Sequence, residues 1–77
     1  MADGVDQTFN AQGMSCPLPI IKLAEQLKAM QDGQVLRMLA DDAGALEDIP
    51  AWCRRTGNTL ISIVEEEGII TALIRKK

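Results

Sequence analysis

The sequence predicts an α/β (α+β) fold, a two-layer sandwich in which two helices pack on one face of a four-stranded mixed sheet in the order β-α-β-α-β-β. Three observations predict it. Two stretches carry apolar residues at helical spacing, four carry the alternation or β-branched enrichment of strands, and the two kinds interleave before the chain closes on two consecutive strands. A chain of 77 residues makes one domain, residues 1–77, and buries roughly 60% of the surface its unfolded form exposes.

Residues 1–6 are small and polar, which predicts a flexible N-terminus. In Gln7-Thr8-Phe9-Asn10-Ala11, Phe9 and Ala11 share one side of a short strand, which Gln12-Gly13 punctuates. From Pro17 the apolar residues Ile20, Leu23, Ala24, Leu27 and Met30 recur at helical spacing, with Lys22, Glu25, Gln26 and Lys28 opposite them. The expected stop is Asp32-Gly33, with Gly33 at the left-handed position that ends a helix. Val35-Leu36-Arg37-Met38-Leu39-Ala40 is apolar apart from Arg37, as an inner strand would be.

Asp41 or Asp42 can cap the next helix, where Leu46, Ile49 and Cys53 recur at i, i+3, i+7 and Gly57 closes the run. Pro50 interrupts that pattern. The regular helix then starts near Asp48 with Pro50 in its first turn, or an earlier turn is distorted. Residues 59–64 and 69–74 are β-branched and alternating, and Glu66-Glu67-Gly68 between them is a hairpin turn.

Composition excludes several classes of function. The formal net charge is −3, which argues against direct nucleic-acid binding through a basic patch. Arg54-Arg55 and Arg75-Lys76-Lys77 read as a solvated rim ahead of a contact for an acidic partner. No apolar run has the form of a signal peptide or the length of a membrane span, so a cytoplasmic protein without a membrane partner is expected. Two cysteines and no histidine cannot complete an ordinary four-ligand zinc site, so neither a metal nor a cofactor is expected. A reducing compartment also argues against a Cys16–Cys53 disulfide.

The chemically loaded position is Cys16. Pro17 suits the first position of a helix, which makes Cys16 the residue that introduces it. There the helix dipole favours negative charge, and the thiolate is the nucleophilic form of cysteine. Pro17 and Pro19 remove two donors from the first turn, leaving the Leu18 amide as the contact for a charged sulfur. Pro19 also pushes Leu18 away from helical geometry, so an irregular first turn is expected. The prolines read as rigid supports that keep the helix from running through Cys16.

Gly13-Met14-Ser15-Cys16-Pro17-Leu18-Pro19, Ala40-Asp41-Asp42, Asp48-Ile49-Pro50, Gly57 and Leu73-Ile74-Arg75-Lys76 together resemble the TusA, or SirA-like, family of small sulfur carriers. The resemblance runs from Thr8 nearly to the end of the chain. It implies the same two-layer sandwich, and a persulfide carried on the cysteine of the Cys-Pro-x-Pro motif, here Cys16. It also implies a cysteine desulfurase or rhodanese-like sulfur donor and a downstream acceptor protein, in tRNA thiolation, molybdenum-cofactor metabolism or sulfur oxidation. The chain departs from the family's usual pattern at Asn10, often acidic, and at Ala43, often proline.

Gly13, Pro17 and Pro19 are the expected motif supports, and Lys22, Lys28 and Asp42 the candidate partner contacts. A solvated helix face explains the two lysines equally well. From the motif alone, Cys16 could be a small buried residue beside a proline-started helix, and the whole-chain resemblance reverses that reading. Cys53 lies on the apolar face of the second helix and reads as core. Trp52, one position off that face, reads as rim. The competing function is a thiol-based regulatory or scaffolding module that binds a partner without carrying sulfur. Thiol-disulfide exchange ranks last for want of a Cys-x-x-Cys pair.

Overall fold

The computed structural model describes residues 4–15 and 17–77. Its elements are β1 (Gln7–Asn10), α1 (Leu18–Lys28), β2 (Val35–Ala40), α2 (Ala45–Thr56), β3 (Thr59–Glu66) and β4 (Ile69–Arg75), in the order the sequence predicts. The sheet runs β1-β2-β4-β3. β1 pairs parallel with β2, and β4 pairs antiparallel with both β2 and β3. The two β-α-β passages therefore make parallel strands, with β4 inserted between β2 and β3 by the final hairpin.

Alternation along the two central strands builds the core. Leu36, Met38 and Ala40 of β2 and Ile70, Ala72 and Ile74 of β4 are buried, while Arg37, Leu39, Thr71 and Leu73 between them are only half-buried. Leu23 and Leu27 of α1 and Ile49 and Cys53 of α2 join the same buried cluster, so both helices pack on one side. A fully buried Leu or Ile contributes about 1.5–3 kcal/mol. Asp6, which the sequence places in the loose start, is tied to β2: its amide donates to the Val35 carbonyl at 2.8 Å and its carboxylate accepts the Val35 amide at 2.8 Å.

Three boundaries differ from the sequence expectation. α1 begins at Leu18, with Pro17 at the boundary in a non-helical conformation (φ −97°, ψ 13°). It ends at Lys28 rather than near Gly33, because the Ala29 and Met30 amides turn back to Gln26 and Leu27, tightening the last turn and tucking Met30 into the core. Gly33 belongs instead to the approach to β2, where its amide donates to the Lys76 carbonyl. α2 starts at Ala45 and runs through Pro50 without breaking.

The buried stripe of α2 also differs from the expected Leu46, Ile49 and Cys53. Ala45, Ile49, Trp52 and Cys53 are buried at i, i+4, i+7 and i+8, while Leu46 is half-buried. Trp52 is therefore a core residue, 8% exposed, and not a rim residue. β3 also carries a bulge between Leu60 and Ser62, which turns Ile61 outward. The hairpin turn is the two-residue Glu67-Gly68, since Glu66 still pairs with Ile69.

Candidate functional site

The loop between β1 and α1 is held at every amide from Ala11 to Met14. The Ala11 amide extends the β1–β2 ladder to the Leu39 carbonyl at 2.7 Å. Gln12 donates to Asn10 Oδ1 at 2.9 Å. Gly13 donates to both carboxylate oxygens of Asp41, at 3.0 and 3.1 Å. Met14 closes a turn onto the Ala11 carbonyl at 3.2 Å. Asn10 keeps an acceptor where the family pattern often has an acid, so that departure leaves the loop bond in place.

Gly13 has φ +86°. That value, with the Met14 to Ala11 bond, matches a type II turn, whose third position requires positive φ. A Cβ there would meet nothing within 4 Å. Gly13 is needed for its dihedral and not for space.

Cys16 itself lies outside the described residues. Its sequence neighbours Ser15 and Pro17 are both exposed. The Leu18 amide, expected to face the sulfur, donates instead to the Ser15 carbonyl at 2.9 Å. The Ile21 amide reaches the Pro17 carbonyl at 3.2 Å. Pro17 is exposed and Pro19 is buried, wedged beside Ile20, Asp42, Ala45 and Asp48. Of the two prolines, Pro19 fastens the start of α1 to α2.

The candidate partner contacts separate in space. Lys22 sits one turn into α1 and pairs with Glu25 at 3.5 Å on the surface. Lys28 is in the last turn of α1, ten residues and about 15 Å along the axis from Leu18, so it is remote from the loop. Asp42 is half-buried; its Oδ1 accepts the Gly44 amide at 3.1 Å and its carbonyl accepts the Ala45 amide at 2.9 Å. It shapes the turn ahead of α2, whose N-cap is Gly44 with no side-chain cap bond, so neither acid caps the helix as expected, and Asp41 instead holds Gly13.

Sequence reasoning missed two features. Leu18 and Ile21 are exposed, at 40% and 49%, and form an apolar patch at the head of α1. Beside it a shallow groove is lined by Pro17, Ile20, Asp48, Ala51, Trp52 and Arg55. The signal for the patch was present, since Leu18 and Ile21 fall off the stripe of Ile20, Leu23, Ala24 and Leu27. Cys53 is buried as expected, 3% exposed, and burial pushes its thiol pKa up. No described helix is long and apolar enough to cross a membrane.

A small two-layer α/β domain whose loop ahead of the first helix is held by the Asn10 and Asp41 side chains is the class these features define. The family model described as sulfurtransferase TusA matches residues 7–76, and the chain belongs to the TusA family. It is 45% identical over 76 residues to the sulfur carrier protein TusA of Allochromatium vinosum, covering 99% of each chain. It is 41% identical to a putative sulfur carrier protein of Neisseria meningitidis, covering 92% of this chain and 96% of that one. A putative sulfur carrier protein of Aquifex aeolicus is 38% identical over 71 residues, and there the match spans only 36% of the relative's length. The SirA-like protein of Desulfitobacterium hafniense has the same fold, with a TM-score of 0.79 at 24% identity over 91% of this chain and 96% of that one.

Proposed function

We propose that this chain is a sulfur carrier that receives a sulfane sulfur on Cys16 and passes it to an acceptor protein. The observation that carries the reading is the family match over residues 7–76 together with Cys-Pro-Leu-Pro placed between a hydrogen-bonded loop and the head of α1. The Cys16 thiolate attacks the outer sulfur of a donor persulfide. The donor's sulfur–sulfur bond breaks, its electron pair leaves on the donor thiolate, and a new persulfide stands on Cys16. An acceptor thiolate repeats the exchange in the other direction. Electrons balance at each step, so the chain needs no cofactor of its own.

A cysteine desulfurase or rhodanese-like protein is the proposed donor, acting in the cytoplasm. Pro17, Leu18 and Ile21, which follow Cys16 in sequence, offer such a protein an apolar landing, since all three are exposed at the head of α1. tRNA thiolation, molybdenum-cofactor metabolism and sulfur oxidation are the proposed destinations. The test is intact-mass analysis after incubation with a cysteine desulfurase and cysteine, without reductant. One added sulfur atom confined to Cys16 is the expected result. No gain, or an equal gain in Cys16→Ser, overturns the reading and leaves the thiol-based regulatory module.

A further inference from the structure

We propose that Asp41 is a positioning residue for sulfur transfer: its carboxylate sets the orientation of the Gln12–Gly13 peptide, and with it the loop that delivers Cys16. The inference rests on the carrier reading above and adds a residue to it.

The turn from Ala11 to Met14 has two accessible forms. Types I and II share the closing bond and differ by a rotation of the central peptide of about 180°. That central peptide joins Gln12 to Gly13, so its N–H is the Gly13 amide. Glycine adopts either sign of φ, and a Cβ at Gly13 would meet no neighbour within 4 Å, so nothing in the glycine or its packing selects a form. The selection comes from Asp41, whose two oxygens accept this one N–H at 3.0 and 3.1 Å. In the flipped form the same carboxylate would face the Gln12 carbonyl, an oxygen dipole against a negative charge. A charge-assisted bond on one side and that repulsion on the other both favour the observed turn.

The contact joins residues 28 apart in sequence. It ties the loop to the end of β2, whose Leu36, Met38 and Ala40 lie in the core. Three residues beyond Gly13 comes Cys16. The paired acids thus divide two tasks: Asp42 shapes the turn ahead of α2 through Gly44, and Asp41 latches the loop. Nothing about Asp41 is needed for the sheet, since the Ala11 to Leu39 bond already closes the ladder beside it.

The test compares Asp41→Ala and Asp41→Asn with the wild-type chain in sulfur loading from a cysteine desulfurase, in Gly13 amide exchange and in thermal midpoint. Asp41→Ala is expected to raise Gly13 exchange and to lower the loading rate at saturating donor, each about tenfold, the low end for a hydrogen bond to a charged group. Exchange of the Met38 and Ala72 amides in the core strands stays unchanged. Asp41→Asn, which keeps one acceptor oxygen and the same shape but loses the charge, and whose NH2 group can serve the flipped turn as well, recovers only part of the loading rate. Wild-type loading in Asp41→Ala overturns the proposal, and so does an equal loss in both variants with Gly13 still protected. A wild-type chain that takes up no sulfur overturns the carrier reading alone. The latch is then judged on Gly13 exchange, and an unchanged value in Asp41→Ala overturns it.

Discussion

The Leu18 amide donates to the Ser15 carbonyl at 2.9 Å, closing the chain across the two residues between them, Cys16 and Pro17. The Leu18 amide, the first backbone donor after Cys16, is therefore spent on the backbone. The sequence places Cys16 ahead of α1, where the helix dipole is then the remaining support for a negative sulfur, so only a modest gain in thiolate reactivity is expected. Iodoacetamide modification of Cys53→Ala at neutral pH measures it: a rate close to that of a free cysteine peptide is expected, and one far faster would show a stabilising donor that the backbone arrangement denies.

Cys53 behaves in the opposite way. It is buried against the core and its thiol is pushed up by desolvation, so iodoacetamide is expected to reach it only on unfolding. Cys53→Ala costs about 1–2 kcal/mol through the small cavity it opens and leaves sulfur loading intact. The pH dependence has a definite sign. Above the unfolded thiol value near 8.5, the unfolded chain releases a proton that the native chain keeps, so stability falls as pH rises, by up to about 1.4 kcal/mol per unit. Urea unfolding at pH 8 and pH 10 checks this: the gap between wild type and Cys53→Ala narrows at the higher pH if burial is the cause.

Trp52 is the only tryptophan and is 8% exposed. Its emission is expected to be blue-shifted in the native chain and to move to the red on unfolding, which makes it the probe for the urea experiment. Trp52→Ala removes a side chain that α2 places under the sheet, at a cost of about 3–5 kcal/mol. A domain of this size has a total stability of roughly 5 kcal/mol, so that variant is expected to be largely unfolded at 37 °C by circular dichroism. A folded Trp52→Ala with an unaltered melting curve would place Trp52 back on the rim.

The element order and the two-layer architecture were legible because each segment carries its own period. β2 is an apolar run broken only by Arg37, the stripe Leu23 and Leu27 marks the inner face of α1, and the 59–64 and 69–74 runs are β-branched. Trp52 was misread for a physical reason: Ile49 and Cys53 belong to two stripes at helical spacing, one through Leu46 and one through Ala45 and Trp52, and the period does not choose between them. At the site, Gly13 and the motif prolines were legible as types. The division of labour between Asp41 and Asp42 was not, because both acids read as caps for α2, whose N-cap is Gly44, and the sequence does not show that the first reaches back to a loop 28 residues earlier.

The β3–β4 hairpin offers a gain in stability. Its two-residue turn has Glu67 at φ +51° and Gly68 at φ +82°, and positive φ at both central positions is the type I′ geometry that matches the twist of paired strands. Gly68 meets this demand without cost, but Glu67 is the one described non-glycine residue with positive φ. A side chain with a straight stem pays for that conformation, whereas asparagine tolerates it through local hydrogen bonding. Glu67→Asn creates the favoured Asn-Gly pair and also removes one charge from the acidic run 65–67, where neighbouring carboxylates repel. The expected gain is about 0.5–1 kcal/mol, read as a higher urea midpoint with an unchanged slope. Glu67→Val, branched at Cβ, is expected to lose at least as much. If both substitutions lower the midpoint equally, the turn is not held in the type I′ form and the Glu66–Ile69 register that depends on it needs another cause.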